Sequence, residues 1–244
     1  MSIKLVENTV YGRYYDIGGL VVPSVTTVVR GGSPMPYFLM KHIIKNSEGD
    51  YDKYLSKTSE ALRVGSLAHD YCEKLLLGES FEVENDAEVQ RALISFCAWY
   101  KEYKPKVIAT EEILYSSAIN KGRLVYPYAG RCDLVAEIDG EIWMIDFKTA
   151  KQISDPAFDI QLSMYKNLWD INNPDKIIDK MGVVHCKKNF MGKEPSRNTR
   201  LFKEVKYSPK AVDSVVYLFN LYNDSVDKAG YPKTKPSLQT FFKL

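Results

Sequence analysis

The sequence predicts an α/β fold, a mixed central β-sheet flanked by helices. Three observations carry this. Helix-periodic segments lead into a β-meander. An Asp-Gly turn signal sits between two β-like runs in 128–149. A further helix then alternates with strands before a last helix. The 244 residues are 45% hydrophobic and 26% charged with a net charge of +2, which argues for a packed core and against disorder. The length accommodates one large domain or two small ones. No apolar run reaches the ~18 residues of a membrane span. Met1–Asp16 interleaves Lys4, Glu7, Arg13 and Asp16 with apolar residues, unlike a signal peptide. Cytoplasmic residence is the corresponding expectation.

Thr9–Ile17 is Tyr-rich and β-like, Gly18-Gly19 signals a turn, and Leu20–Pro23 ends a strand. Ser24–Val29 reads two ways: Ser24 can cap a helix, whereas the β-branched run favours a strand. Tyr37–Ile44 reads as a short helix. Thr58–Leu77 reads as a helix interrupted by Gly65 and stopped by Gly78. Asp86–Tyr103 is amphipathic, with Val89, Leu93, Phe96, Cys97 and Tyr100 at helical spacing, and Pro105 follows it. Val107–Ser117 is a strand, Tyr128–Thr149 two strands, and Ile160–Ile171 a helix. Met181–Cys186 and Leu201–Tyr207 are further strands. Ser208-Pro209 starts a helix running to about Lys228, with Gly230 as its stop.

Cys72, Cys97, Cys132 and Cys186 are too widely spaced for a zinc knuckle or a clustered iron–sulfur motif. They read as small buried apolar residues, with no disulfides expected. The near-zero net charge conceals local asymmetry. Lys187–Lys210 holds eight basic residues against two acids, and Arg131–Asp146 holds five acids against one base.

The Asp139-Gly140 turn sets a register in which Ile138 faces Glu141 and, counting outward, Asp133 faces Asp146. Theirs is a non-hydrogen-bonded pair, with Cα atoms only ~4.5 Å apart. Leu134, Ala136, Ile138, Trp143, Ile145 and Phe147 fall on one apolar face; Arg131, Asp133, Asp146 and Lys148 share the other. Directly opposed carboxylates repel, so either one takes up a proton or a cation lies between them. On repulsion alone, Asp146→Ala should stabilise the metal-free chain. Mg²⁺ suits such oxygen donors, and Lys148 can offer its ammonium to an anion held there. The competing reading is a solvated polar face neutralised by Arg131 and Lys148. His69, on the Ser66–Leu77 stretch, and Gln161 with Tyr165, four apart on one helix face, are further candidates.

Taken in order, Gly65 with His69, Gly130 with Asp133, Asp146-Phe147-Lys148-Thr149, and Gln161 with Tyr165 resemble the motifs of the PD-(D/E)XK nuclease superfamily. The similarity is to its RecB-like exonuclease branch, which includes the mitochondrial genome maintenance exonuclease and phage exonucleases. Pro23–Val28 resembles an amino-terminal motif of the mitochondrial type. The resemblance implies a restriction-endonuclease-like core, a single nuclease domain over 1–244 with its motif core at about 65–170, and DNA-binding and helical elaborations at both ends. It implies Mg²⁺ or Mn²⁺ held by His69, Asp133, Asp146 and the Phe147 carbonyl. Asp133, Asp146 and Lys148 would be the catalytic set, with Lys148 orienting the attacking water or stabilising the charged transition state. Gln161 and Tyr165 would position the site or the strand. Cys132 stands where the superfamily name has Pro, and the cysteine cluster of iron–sulfur members is missing, so no iron–sulfur cluster is expected. Glu111 and Glu112 compete for a family acidic position.

The implied partner is DNA, single-stranded or with free ends. Lys187, Lys188, Arg197 and Arg200, with Phe190, Phe202 and Tyr207 interleaved, suit a phosphate groove with stacking platforms; a solvated basic strand and loop is the alternative. Arg123, Tyr126, Pro127 and Tyr128 offer further stacking groups. The expected activity is a metal-dependent DNA exonuclease. The alternatives are a non-cleaving nucleic-acid-binding module on a nuclease fold, and an unrelated enzyme whose hairpin face is merely charged.

Overall fold

A computed structural model describes residues 3–9, 12–34, 37–47, 50–116, 119–120, 123–124, 126–153, 156–190 and 201–225. The chain begins with an antiparallel sheet of β1 (Ile3–Thr9), β2 (Gly12–Ile17) and β3 (Leu20–Pro23). The expected Thr9–Ile17 strand is therefore two strands, parted before Gly12, whose φ is +130°. The ambiguity at Ser24 resolves as a helix, α1 (Val25–Gly32). Ser24 is extended, and its hydroxyl accepts the Thr27 N–H at 3.1 Å. Val25, Val28 and Val29 then recur at helical spacing and are buried, so tertiary packing outweighs β-propensity.

Helix α2 (Tyr37–Ser47) precedes α3 (Tyr51–Leu77), which starts earlier than its pattern suggests and runs through Gly65. Helix α4 (Ala87–Tyr103) is capped by Asp86, whose carboxylate accepts the Glu88 and Val89 N–H groups. Strand β4 (Lys106–Tyr115) follows, then a ribbon of β5 (Ile119–Asn120) and β6 (Arg123–Leu124). The hairpin is β7 (Ala129–Ile138) and β8 (Glu141–Lys148). Asp139 and Gly140 both have positive φ, as a type I′ turn requires. Helix α5 (Pro156–Asn172), β9 (Lys180–His185), β10 (Phe202–Val205) and α6 (Pro209–Ser225) complete the described chain. The expected stop at Gly230 lies outside the described residues. Among those residues, no helix is long and apolar enough to cross a membrane.

The central sheet has the order β10-β9-β8-β7-β4 and is mixed, because β8 and β9 run parallel while every other neighbouring pair is antiparallel. A parallel pair needs a crossover, and α5 supplies it. Leu134, Ala136, Ile138, Trp143, Ile145 and Phe147 pack with Val64, Ala68, Phe96 and Trp99 of α3 and α4, on the face the alternation predicts. The opposite face is not the solvated polar face of the competing reading. Val135 and Met144 are fully buried there with Val25, Leu162, Leu168 and Phe219 of α1, α5 and α6. The sheet is thus covered on both sides, as strands flanking a parallel crossover usually are. Cys72, Cys132 and Cys186 are buried free thiols and Cys97 is half-buried.

Candidate active site

The hairpin register runs as the turn dictates from Ile138↔Glu141 to Leu134↔Ile145 and ends there, one pair short of Asp133 and Asp146. Beyond that point backbone pairing gives way to side-chain chemistry. The Phe147 N–H donates to Asp133 Oδ2 at 2.7 Å instead of to a strand carbonyl. Within one strand residue the N–H and C=O point to the same edge, so the Phe147 carbonyl faces the Asp133 side of β8. The Phe147 ring lies in the core against Phe96 and His69.

His69 reaches this end of the sheet from α3, its Nδ1 3.5 Å from Asp133 Oδ2. Gly65, one turn earlier, has a packing reason: a Cβ there would lie 3.3 Å from Thr149 Oγ1, so its absence lets α3 settle against the end of β8. Gly130 has a stronger one. A Cβ would stand 2.5 Å from Tyr165 Cε1 and 2.9 Å from Val25 Cγ2, so only a bare backbone admits both side chains. Tyr165 is buried.

Asp146 is buried and bonded on two sides. Lys148 Nζ stands 2.6 Å from its Oδ2 as an ion pair, and Gln161 Nε2 donates to Oδ1 at 3.5 Å. Gln161 in turn hydrogen-bonds the Tyr165 hydroxyl. The Lys148 ammonium also lies over the Phe158 ring. The segment after Lys148 is pinned to β9: the Lys148 carbonyl accepts the Cys186 N–H, and His185 Nε2 donates to the Ala150 carbonyl.

The electrostatics separate the two aspartates. Burial pushes the Asp146 carboxyl up; Lys148 pulls it back while Asp133 pushes further, leaving it at about 6. Burial also disfavours charge on Asp133, yet His69 and Lys148 outweigh it and hold that carboxyl below the usual range. Burial would lower His69, but Asp133 beside it lifts the imidazolium to about 9. Lys148, despite burial, is raised by Asp146 and Asp133. Tyr165 is driven well above the ordinary phenol by burial.

Glu111, which competed with Glu112 in the sequence, also lies here. Donor atoms of His69, Glu111 and Asp133 all lie within 4.8 Å of one another; Asp146 is not part of that trio. Glu111 has φ +49° in mid-strand, a conformation that costs about 1–3 kcal/mol. Its carboxyl is raised to about 7 by burial and by Asp133, and Arg131 Nε lies 2.5 Å from its Oε2. Glu112 is exposed and pairs in register with Cys132. The β4–β7 register passes through a bulge between Val107 and Ala109, which no local signal in the sequence marks.

The cluster fits a hard divalent cation. Its donors are carboxylates with one imidazole, drawn within 4.8 Å of one another.

The basic segment sits differently from the motif residues. Lys188 is ion-paired to Glu88 at the start of α4, the Lys187 N–H donates to Ser95 Oγ, and Lys203 pairs with Asp159. Arg197 and Arg200 lie outside the described residues. Phe190 is buried and Phe202 packs against Trp99, Tyr103 and Trp143, so both are core groups, not stacking platforms. Tyr207 is half-exposed with its hydroxyl on Asn167, Tyr128 is buried, and Tyr126 is exposed.

No family model matches the chain, and no curated protein matches it. Among solved structures, the chain is similar to the crystal structure of SSO0001 at 14% identity and TM-score 0.45, covering 85% of this chain and 79% of that one. It is similar to a "Putative exonuclease" from Eubacterium rectale at 15% identity and TM-score 0.42, covering 67% of this chain and 69% of that one.

Proposed function

We propose that the chain is a Mg²⁺- or Mn²⁺-dependent deoxyribonuclease, an exonuclease acting on single-stranded DNA or DNA ends as one nuclease domain. The observation that carries this reading is the convergence, at the frayed end of one hairpin, of His69, Glu111, Asp133, Asp146 and Lys148 from four elements. His69, Asp133, Asp146 and the Phe147 carbonyl, with Glu111 added, would hold the cation. A bound divalent ion supplies Lewis-acid charge against an anionic phosphodiester and acidifies a water. The chain's own groups do the rest. Lys148 keeps its proton in this site and presents positive charge where negative charge develops. Asp133 holds the Phe147 peptide in place, which aims the neighbouring carbonyl. Gln161 orients Asp146 and is itself oriented by Tyr165.

The test is digestion of end-labelled single- and double-stranded oligodeoxynucleotides, blocked at either end, with Mg²⁺ or Mn²⁺. Metal-dependent shortening that disappears in Asp133→Ala, Asp146→Ala and Lys148→Ala is the expected result. Metal binding by calorimetry that is absent, or unchanged in Asp146→Ala, would remove the reading. Oligonucleotide binding without cleavage would favour a non-cleaving module instead.

A further inference from the structure

Of the cations expected to track the strand, Lys188 is paired with Glu88, and Lys203 in the same basic segment is paired with Asp159. A different pair of cations borders the carboxylate cluster. Arg131 lies two residues before Asp133 on β7, and its side chain is 51% exposed. Its Nε pairs with Glu111 Oε2. Arg13 lies on β2 and is exposed.

The two strands are locked together. The Arg13 N–H donates to Thr27 Oγ1 at 2.9 Å, and the Arg13 carbonyl accepts the Thr27 hydroxyl and the Ser24 N–H. Ser24 bridges in parallel to Ala129 at the start of β7. Tyr15, on β2 with Arg13, is buried and packed with Ala129 at the start of β7, and its phenol is within electrostatic reach of Arg13, Arg131 and Glu111. Arg13 and Arg131 therefore stand on strands tied to one another at Ser24 and Ala129, with Glu111 paired to Arg131. Arginine forks match phosphate oxygens in pairs, and fixing them on strands lowers the ordering cost of binding.

We propose that Arg13 and Arg131 together seat a backbone phosphate of the nucleic-acid strand beside the scissile position, so that the amino-terminal sheet, rather than the Lys187–Lys210 segment, guides the strand into the site. This rests on the nuclease reading above and deepens it. It also assigns a task to the Ser24 and Thr27 hydroxyls, which hold β2 against the start of β7.

The experiment is fluorescence anisotropy of a labelled single-stranded 20-mer oligodeoxynucleotide with Ca²⁺ across a KCl series, alongside Mn²⁺-dependent digestion kinetics. Arg13→Ala and Arg131→Ala should each weaken binding about 10-fold and reduce the log–log salt slope by about 1. KM should rise far more than kcat falls. Arg131→Lys should restore part of the affinity, and circular dichroism melting separates lost binding from lost folding. Lys188→Ala and Lys203→Ala should leave binding within about twofold. Parental affinity and salt slope in both arginine variants, with the parent cutting normally, would overturn this inference and leave the nuclease reading standing. A parent chain that neither binds nor cuts the oligonucleotide would overturn both.

Discussion

The two ends of the β7–β8 hairpin obey different rules. Near the turn, from Ile138↔Glu141 to Leu134↔Ile145, backbone pairing is regular, and Leu134, Val135, Met144 and Ile145 are sealed on both faces by helices. At the open end the ladder stops, an aspartate oxygen takes over from a strand carbonyl, and the neighbouring strand carries Glu111 at positive φ. Local turn chemistry and side-chain alternation suffice to build the first end. The second departs from ideal sheet geometry, and the departures gather charged donors into a space of a few ångströms. Regular structure serves here as an anvil for an irregular site.

Breaking each end in turn gives the largest contrast. Lys148→Ala should lower cleavage by about 100- to 1000-fold, with a loss in urea unfolding as well, because it leaves the buried Asp146 carboxyl without its ion-pair partner. Met144→Ala should cost about 2–5 kcal/mol in urea unfolding by opening a cavity, yet keep Mn²⁺ affinity close to that of the parent in calorimetry.

Next in size is Asp146→Ala without metal. Sheet repulsion alone predicts stabilisation. The structure reverses the sign, because Lys148 is 2.6 Å from Asp146 and only 17% exposed, so the variant strands a buried ammonium. A loss of about 3 kcal/mol is expected, and it should shrink in the Asp146→Ala/Lys148→Met double variant. A rise in the melting temperature of the single variant would show that the two aspartates, not the ion pair, dominate the open end.

A smaller effect follows from protonation. Asp146, raised to about 6, and Glu111, raised to about 7, hold protons in the folded state that the unfolded chain releases near pH 4, so their burial penalises the fold increasingly as pH rises. His69, raised to about 9, favours the fold below its unfolded value near 6.5 and loses that contribution as pH rises towards 9. Both signs agree: metal-free stability should decline from about pH 4 to about pH 9 in thermal melts. Saturating Mn²⁺ should flatten that slope above neutral pH.

The smallest expected effect sharpens the comparison most. Glu112→Ala should change stability by no more than about 0.5 kcal/mol and leave Mn²⁺ binding unaltered, since Glu112 is exposed. Glu111→Ala, one residue away, should weaken Mn²⁺ binding measurably in the same calorimetric titration. Equal responses from the two would place the donor set elsewhere on β4.

Much of this architecture is legible in the residues. Asp139-Gly140 predicts the turn and its register, Val89 through Tyr100 predict α4, and the spacing of Gln161 and Tyr165 puts both on one face of α5. The misreadings share a cause. Gly65 looks like a helix interruption until Thr149 is seen beside it, and Ser24–Val29 looks β-like until its valines find a core. Phe190 and Phe202 look like stacking groups because their partners, Trp99 and Trp143 among them, are distant in sequence.

The sequence by itself determined whatever depends on a few neighbouring residues: the turn, the caps, the alternation, the register out to Leu134↔Ile145, and the motif order. Only the tertiary structure put Glu111, and not Glu112, beside His69 and Asp133, buried both faces of the sheet, set Lys148 on Asp146, and tied β2 to the start of β7. Those outcomes depend on registers and contacts across long connections, where β4 meets β7 through a bulge and β2 meets β7 through α1. There the packing of the whole chain selects a backbone conformation that no local propensity favours.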